Sequence, residues 1–389
     1  MTAPTIRPTE KVAFIYHFFP HYRYGVVRAL TQRLDAAFVG DRKGAEGIAP
    51  YIFDHGEEFH AARCYYLGKL AFQPAVVGYC LRARRDVFVF LASPNHVSTW
   101  IGALIARLRG KRVVFWGHGF KYARRDLKNR VRKLFFSLAH DFYAYGWRAK
   151  RNAMALGADP GRIHVGFNSL NYDAQLPLRQ ALLGGNQAGH RDGSVLRIFC
   201  ISRLTRICRY DMLLDAAAQL AGKGIRSRVV FVGDGPEGEA LERQARDLGV
   251  DVEFHGAIYD ESRIAGLVFD ADVTVSPGKV GLTAMHSLMF GTPVITHDDF
   301  ESQMPEVEAI VPGFTGELFR AGSVSDLADK LATFPARFPD RRLTRERCFT
   351  MIDRLYNPDK QAEVMLRAVC GLPAATGDDA FTLFAREQA

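Results

Sequence analysis

Two trains of short apolar runs alternate along this chain with segments of helical period. The first train opens with residues 11–16 (KVAFIY), an apolar run of strand length that predicts a buried strand. Residues 25–34 follow with helical spacing, then a short strand at 36–39. Two more apolar runs, 86–91 and 112–116, flank a helical stretch at 99–109, and a strand at 162–167 closes the series. The second train predicts strands at 196–201, 228–232, 252–256, 273–275 and 293–296. Helices at 210–221, 237–248, 261–269 and 282–290 come between them, and another follows at 324–333. A last amphipathic helix spans 357–369, with apolar Ala362, Val364, Met365, Ala368 and Val369. Strands alternating with helices predict parallel sheets with crossover helices, here two of them. Ligands of such sheets bind beyond the carboxyl ends of the strands, so the loops that follow strands are where chemistry is sought.

Between the trains, residues 179–194 (RQALLGGNQAGHRDGS) are polar, glycine-rich and aperiodic, which predicts a connection between domains. The expected division is a first domain over 1–178, a linker over 179–194, a second domain over 195–354, a helix over 355–372 and a loosely held tail over 373–389. A chain of 389 residues suits two cores better than one. No apolar run approaches the roughly 18 residues that span a bilayer. The start, MTAPTIRPTEK, lacks the apolar stretch of a signal peptide, so a cytoplasmic location is expected. Six scattered cysteines without a CxxC pair predict reduced thiols rather than disulfides or a zinc site. The net charge of +9 suits an anionic partner: nucleic acid, acidic lipid or a phosphorylated substrate.

Two loops carry candidate chemistry. Val230-Phe231-Val232-Gly233-Asp234-Gly235-Pro236 runs a buried strand into a tight turn and then a helix. Val275-Ser276-Pro277-Gly278-Lys279-Val280-Gly281-Leu282-Thr283 runs a strand through a glycine-bearing loop into a helix that starts near Gly281. Free N–H groups at a helix start bind phosphate, and glycine lets the phosphate reach the backbone. Taken singly, each loop reads equally as a plain βα connection.

Their combination is more specific. Arg203-Leu204 after a strand, Tyr210-Asp211-x-Leu213-Leu214, the VGDGP turn, Phe254–Gly256, ADVTVSP, Gly291-Thr292-Pro293-Val294-Ile295, Met304-Pro305-Glu306 and Gly313-x-Thr315-Gly316 occur in this order. Over roughly 195–320 the sequence resembles the retaining glycosyltransferases of family 4, as a divergent member. Trp116-Gly117-His118-Gly119 and Asn168-Ser169-Leu170 extend the likeness into the first half. The resemblance implies a GT-B fold: α/β, with two Rossmann-like domains, a facing cleft, and a C-terminal helix crossing back to the first domain. It implies a nucleotide-sugar donor in the second domain, an acceptor in the first, and no metal or other cofactor.

Residue by residue, the resemblance makes Arg203 the partner of the donor diphosphate, with charge to stabilise the leaving group. The lysine that such enzymes carry five positions later is Cys208 here, which leaves Arg206 or Arg209 to supply the charge. Gly281, Leu282 and Thr283 match the backbone that cradles the diphosphate. The usual Glu-x7-Glu pair is replaced by Gly278 and His286. Lys279 stands beside the first position, for the sugar or phosphate, and His286 can still bond ribose hydroxyls. His118 matches the histidine near the reacting sugar carbon, so His118 and Arg203 are the implied catalytic pair. Tyr24 and Gly25 sit where the first loop approaches the phosphates, and Glu306 matches a Pro-Glu, as a structural residue or a further site residue.

Residues 121–138 (KYARRDLKNRVRKLFFSL) put Leu127, Val131, Leu134, Phe135 and Leu138 on one helical face. That stripe is expected to bury itself on the sheet, leaving a basic face for anionic lipid headgroups. No nucleic-acid-binding motif accompanies the charge. The expected protein is a hexosyltransferase, peripheral on the inner face of the cell membrane. It moves sugar from a nucleotide sugar to a glycan or lipid-carrier-linked saccharide in surface polysaccharide or lipopolysaccharide assembly. The alternatives are a GT-B nucleotide-sugar epimerase or hydrolase, and a catalytically silent nucleotide-sugar binder.

Overall fold

The central strands form because their residues are apolar on both faces, as strands inside a parallel sheet must be. The computed structural model describes residues 10–45, 47–124, 126–185, 194–375, 377, 380 and 382. Two compact units divide it: the chain up to Asn171 together with Tyr356–Gly377, and Tyr172–Leu355.

The first unit contains β1 (Lys11–Phe18), β2 (Asp35–Asp41), β3 (Glu58–Ala61), β4 (Tyr65–Leu67), β5 (Leu70–Phe72), β6 (Val87–Leu91), β7 (Arg112–Gly117), β8 (Asp141–Ala144) and β9 (Ile163–Val165). Among the described residues its main sheet runs β3-β2-β1-β6-β7-β8-β9, and β4–β5 is a separate antiparallel hairpin. All pairings in the main sheet are parallel, with Val12 beside Ala36 on one side and Val87 on the other. The direction of winding reverses between β1 and β6, which makes the carboxyl ends of those two strands a switch point for ligand binding.

Helix Pro358–Val369 is part of this unit. Asn357 caps it, its side chain accepting from the Lys360 N–H at 2.8 Å, and Pro358 occupies the first turn where it loses no bond. Ala362, Met365, Ala368 and Val369 join the core of Val12, Phe14, Val114 and Trp116. Arg112 Nε donates to the Ala368 carbonyl at 3.1 Å. The Asn168-Ser169-Leu170 motif holds the helix too: Ser169 Oγ donates to Gln361 Oε1 at 2.7 Å, and Gln361 Nε2 donates to the Phe167 carbonyl at 3.0 Å.

The second unit contains β10 (Leu196–Ile201), β11 (Ser227–Val232), β12 (Asp251–Phe254), β13 (Val273–Ser276), β14 (Val294–His297) and β15 (Gly316–Phe319). They run β12-β11-β10-β13-β14-β15, all parallel. The switch point here lies between β10 and β13. Both sheets have the order of a Rossmann fold.

The connection expected over 179–194 is corrected at its start. Helix Tyr172–Gly184 runs through residues 179–184 and belongs to the second unit. Arg179 is buried, lies over the Phe349 ring and clamps the Asp353 carboxylate with two 3.0 Å bonds. A bidentate pair of this kind fixes a helix whose sequence carries a proline and little periodicity. Residues 186–193 of that expected linker, and most of the tail after 372, lie outside the described residues.

A second correction concerns the basic helix, which spans Leu127–Phe136. Phe135 is fully buried, but Leu127, Val131 and Leu134 are 74%, 46% and 64% exposed. The stripe expected on the sheet therefore faces outward for most of its length. The contact with the core is made instead near the end of the helix, by Phe135, which stacks on Phe115 at 4.4 Å and lies 4.9 Å from Trp100, and by Phe136 against Phe120 and Phe142. Among the described residues no helix is long and apolar enough to cross a membrane.

Candidate functional site

In the second unit, the predicted residues gather at the switch point. Arg203 leaves the end of β10 and is exposed, with no ion pair among the described residues. The loop behind it is held on one side by β11: Ser202 N–H donates to the Val232 carbonyl at 3.1 Å, and Leu204 N–H to the Asp234 carbonyl at 2.9 Å. A cavity of about 450 Å³ opens there, lined by Arg203, Gly233, Asp234, Gly235, Ala257 and Tyr259 among others.

On the other side the same loop is locked to the loop after β13. Gly278 N–H donates to the Cys208 carbonyl at 3.0 Å. A β-carbon on Gly278 would lie 2.0 Å from the Ile207 carbonyl oxygen and 2.8 Å from the Cys208 carbonyl carbon. Only glycine allows this approach. The Cys208 thiol is turned into its own loop, donating to the Arg203 carbonyl at 3.3 Å. Gly278 and Cys208 thus form one contact, backbone touching backbone. Arg206 is exposed in the 3-10 turn Arg206–Cys208. Arg209 is also exposed, but its guanidinium already pairs with Asp211 at 3.2 Å.

Helix Leu282–Met289 starts beside this junction. Gly281 is its N-cap residue and supplies no side-chain cap; the Ala284 N–H donates to the Gly281 carbonyl at 3.0 Å, which leaves the N–H groups of Leu282 and Thr283 to a ligand or solvent. Thr283 Oγ1 donates to the Ile201 carbonyl at 3.0 Å and so ties the helix start to the end of β10. Lys279 is exposed. A residue that sequence reasoning missed organises the loop from below. Buried Gln303 accepts from the Val280 N–H at 2.7 Å, and its Nε2 donates to Thr296 Oγ1 at 2.9 Å and the Gly278 carbonyl at 3.3 Å. Glu306 and Glu308 are buried in the turn Pro305–Ala309.

His286 meets a carboxylate from another element. Its Nε2 lies 2.9 Å from Glu261 Oε1, and Gln175 Nε2 donates to the same oxygen at 2.7 Å. Burial works to raise the Glu261 carboxyl, but the bond and charge of His286, with the Gln175 amide, outweigh it and hold it below its ordinary value. A carboxylate is thus present next to the helix position that lacks one. It arrives from 25 residues upstream, which no local spacing reveals.

In the first unit, Tyr24 and Gly25 begin the helix that follows β1, and exposed His118 follows β7 with its ring 5.0 Å from that of Tyr145. Tyr24 packs on Tyr51 and His55. Gly25 is buried for a reason the motif does not give: a β-carbon there would sit 2.6 Å from the Pro358 ring, so glycine admits the C-terminal helix.

His17, at the end of β1, is mostly buried against the His96 ring at 5.3 Å. Burial first, then His96 and Arg23, push it down to about 4. The unfolded chain takes up this proton near pH 6.5 and the folded one only near pH 4. Stability is therefore full above pH 6.5 and falls as pH drops through this window, by on the order of 2–3 kcal/mol from this group. Urea unfolding of the wild type and His17→Phe across pH 7 to 4 checks it: the variant shows a shallower loss. Parallel curves would remove His17 from the account.

Two Rossmann-like units, the second with an arginine and an uncapped helix start at its switch point, define the GT-B class of nucleotide-handling folds. Residues 196–334 match the model of the family described as glycosyl transferases group 1. One relative is the GDP-mannose-dependent alpha-(1-6)-phosphatidylinositol dimannoside mannosyltransferase of Mycobacterium tuberculosis (strain ATCC 25177 / H37Ra), 38% identical over 104 residues, 26% of each chain. Another is EpsF of Bacillus subtilis (strain 168), 30% identical over 213 residues, 52% of each chain. The chain thus matches about a quarter and about half of the length of these relatives. Among solved structures, Anabaena Alr3699/HepE in complex with UDP superposes with a TM-score of 0.67 at 16% identity, over 93% of this chain and 100% of that one. The lipopolysaccharide outer core galactosyltransferase WaaB gives 0.68 at 14%, over 92% and 99%. Likeness at that identity shows the shared fold.

Proposed function

We propose that the protein is a glycosyltransferase that takes a hexose from a nucleotide sugar and transfers it with retention to a glycan acceptor. The observation that carries this is the junction of Arg203, the Gly278 loop and the uncapped start of helix Leu282–Met289 beside a 450 Å³ cavity. The cavity suits the nucleoside, and the charge suits the diphosphate. UDP-glucose, which HepE binds, and the GDP-mannose on which the mannosyltransferase depends are donors of this kind. Arg203 neutralises charge that grows on the departing diphosphate, and the helix N–H groups hold it without reorganising. His118 takes the role at the reacting sugar carbon that the family resemblance implies. The acceptor hydroxyl attacks from the side the phosphate leaves, and the phosphate takes its proton. Catalysis is then positioning and charge stabilisation, with no metal required.

The silent-binder alternative has its own observation: the Cys208 thiol points away from the loop surface, and Gly278 brings no side chain. Incubation of the full chain with UDP-glucose or GDP-mannose and bacterial membranes decides between them. The transferase releases nucleoside diphosphate at least ten times faster with membranes than without. Equal rates of release identify a hydrolase, conversion of the donor to an isomeric nucleotide sugar without release identifies an epimerase, and binding with the donor unchanged identifies the silent binder.

The acceptor is proposed to be lipid-linked, as in surface polysaccharide or lipopolysaccharide assembly, with the protein docked on the inner face of the membrane. Outward Leu127, Val131 and Leu134, interleaved with Lys128, Arg130, Arg132 and Lys133, make an amphipathic basic surface suited to anionic lipid. The protein is expected to float with phosphatidylglycerol vesicles and not with phosphatidylcholine vesicles, and Leu134→Glu to lose most of that flotation. A variant that floats as well as the wild type would contradict this.

A further inference from the structure

The first unit has a charge at its switch point that neither the fold nor the donor chemistry uses. Arg23 follows β1 and is 7% exposed. Its guanidinium lies over the rings of Trp116 at 4.5 Å and Tyr16 at 4.9 Å, with Tyr145 at 5.8 Å. One nitrogen, Nη2, donates to the Tyr145 hydroxyl. Nε and Nη1 have no hydrogen-bond partner, and neither does the nearby Trp116 Nε1. Among the described residues no carboxylate pairs with Arg23.

A buried guanidinium is normally matched by a carboxylate, because taking a lone charge out of water is costly. Three aromatic faces offset part of that cost but satisfy none of the N–H groups. Arg23 closes the 3-10 turn His21–Arg23, and the Tyr24 N–H that follows already donates to the His21 carbonyl, so the unpartnered donors here are those of the side chain. That place is the carboxyl end of β1, where a sheet of this order receives its ligand. A buried guanidinium with two unpartnered N–H donors, beside an unpartnered indole N–H, is a receptor for an oxyanion.

We propose that Arg23 is the oxyanion-binding residue of the first unit, and that the acceptor carries a phosphate or carboxylate that it receives. The word acceptor rests on the transferase reading given above; the oxyanion site itself does not. The preference for an anion follows from the donors present: Arg23 Nε and Nη1 and Trp116 Nε1 can only donate, so they match an oxyanion and leave the proton of a neutral hydroxyl without an acceptor.

The test is thermal unfolding of the full chain with inorganic phosphate, glucose 1-phosphate, glucuronate or neutral methyl glucoside at matched ionic strength, and separately with UDP. Wild type is expected to gain a few degrees from phosphate and from one of the two anionic sugars, and none from the neutral one; the better sugar tells phosphate from carboxylate. Arg23→Met is expected to unfold at a higher temperature without ligand, since an unpaired buried charge is gone, and to lose the anion shift while keeping the UDP shift. Arg23→Lys, which keeps the charge without the planar fork, retains less than half of the anion shift and guards against a misfolded methionine variant. An anion shift unchanged in Arg23→Met, no anion shift in wild type, or loss of the UDP shift in Arg23→Met overturns the proposal. Failure of the donor site instead shows as the absence of any UDP shift in wild type, which leaves the anion result standing.

Discussion

Replacing Gly278 by glutamate, the residue that the family pattern calls for, is expected to destabilise the second unit by at least about 3 kcal/mol and to abolish nucleotide-dependent stabilisation. The β-carbon alone would lie 2.0 Å from the Ile207 carbonyl oxygen, and the atoms it meets are backbone, which cannot rotate away. The 206–208 turn must lift, and the 3.0 Å bond from the Gly278 N–H to the Cys208 carbonyl breaks with it. Gln303 then loses the loop geometry it bonds on the other side. Because the clash is at the β-carbon, Gly278→Ala shows most of the same loss. Urea unfolding measures both. A glutamate variant that unfolds at the wild-type midpoint and binds nucleotide more tightly would mean the two loops slide apart freely, and that Gly278 is merely a missing side chain.

The second large effect is kinetic. Arg203→Ala is expected to slow sugar transfer by roughly 10²–10³-fold, the usual cost of removing a group that meets charge developing in the transition state. Stability should hardly change, since Arg203 is exposed and holds its loop only through its backbone. Arg209 should be a poor substitute because Asp211 already takes its guanidinium. A loss confined to KM would assign Arg203 to ground-state binding.

Much of this fold is legible in the sequence, for a physical reason. Central strands such as β1 and β6 are buried on both faces, and residues 12–16 and 87–91 read as unbroken apolar runs. Edge elements do not: β3 is mostly exposed, and Tyr65, Tyr66, Leu67, Leu70 and Phe72 of the β4–β5 hairpin face outward, so neither leaves a burial signature. Helix Tyr172–Gly184 is missed because Arg179 and Asp353, 174 residues apart, stabilise it rather than an apolar stripe. The site divides the same way. Arg203 and the Gly281 helix start are visible because they adjoin strand ends. Gln303, Glu261 and Arg23 are single polar residues whose meaning comes from partners brought in by the fold. Gly278 was visible as a departure, but its cause, a carbonyl pressed against it from another loop, was not.

The central claim is that the second unit binds a nucleotide diphosphate at the β10–β13 switch point. Isothermal titration of UDP and GDP into the wild type and Arg203→Ala tests it most directly. The account predicts saturable binding of at least one nucleotide by the wild type, weakened at least roughly tenfold in the variant, the share of one charge-assisted contact. Binding of equal strength in both proteins, or of neither nucleotide to the wild type, would contradict it.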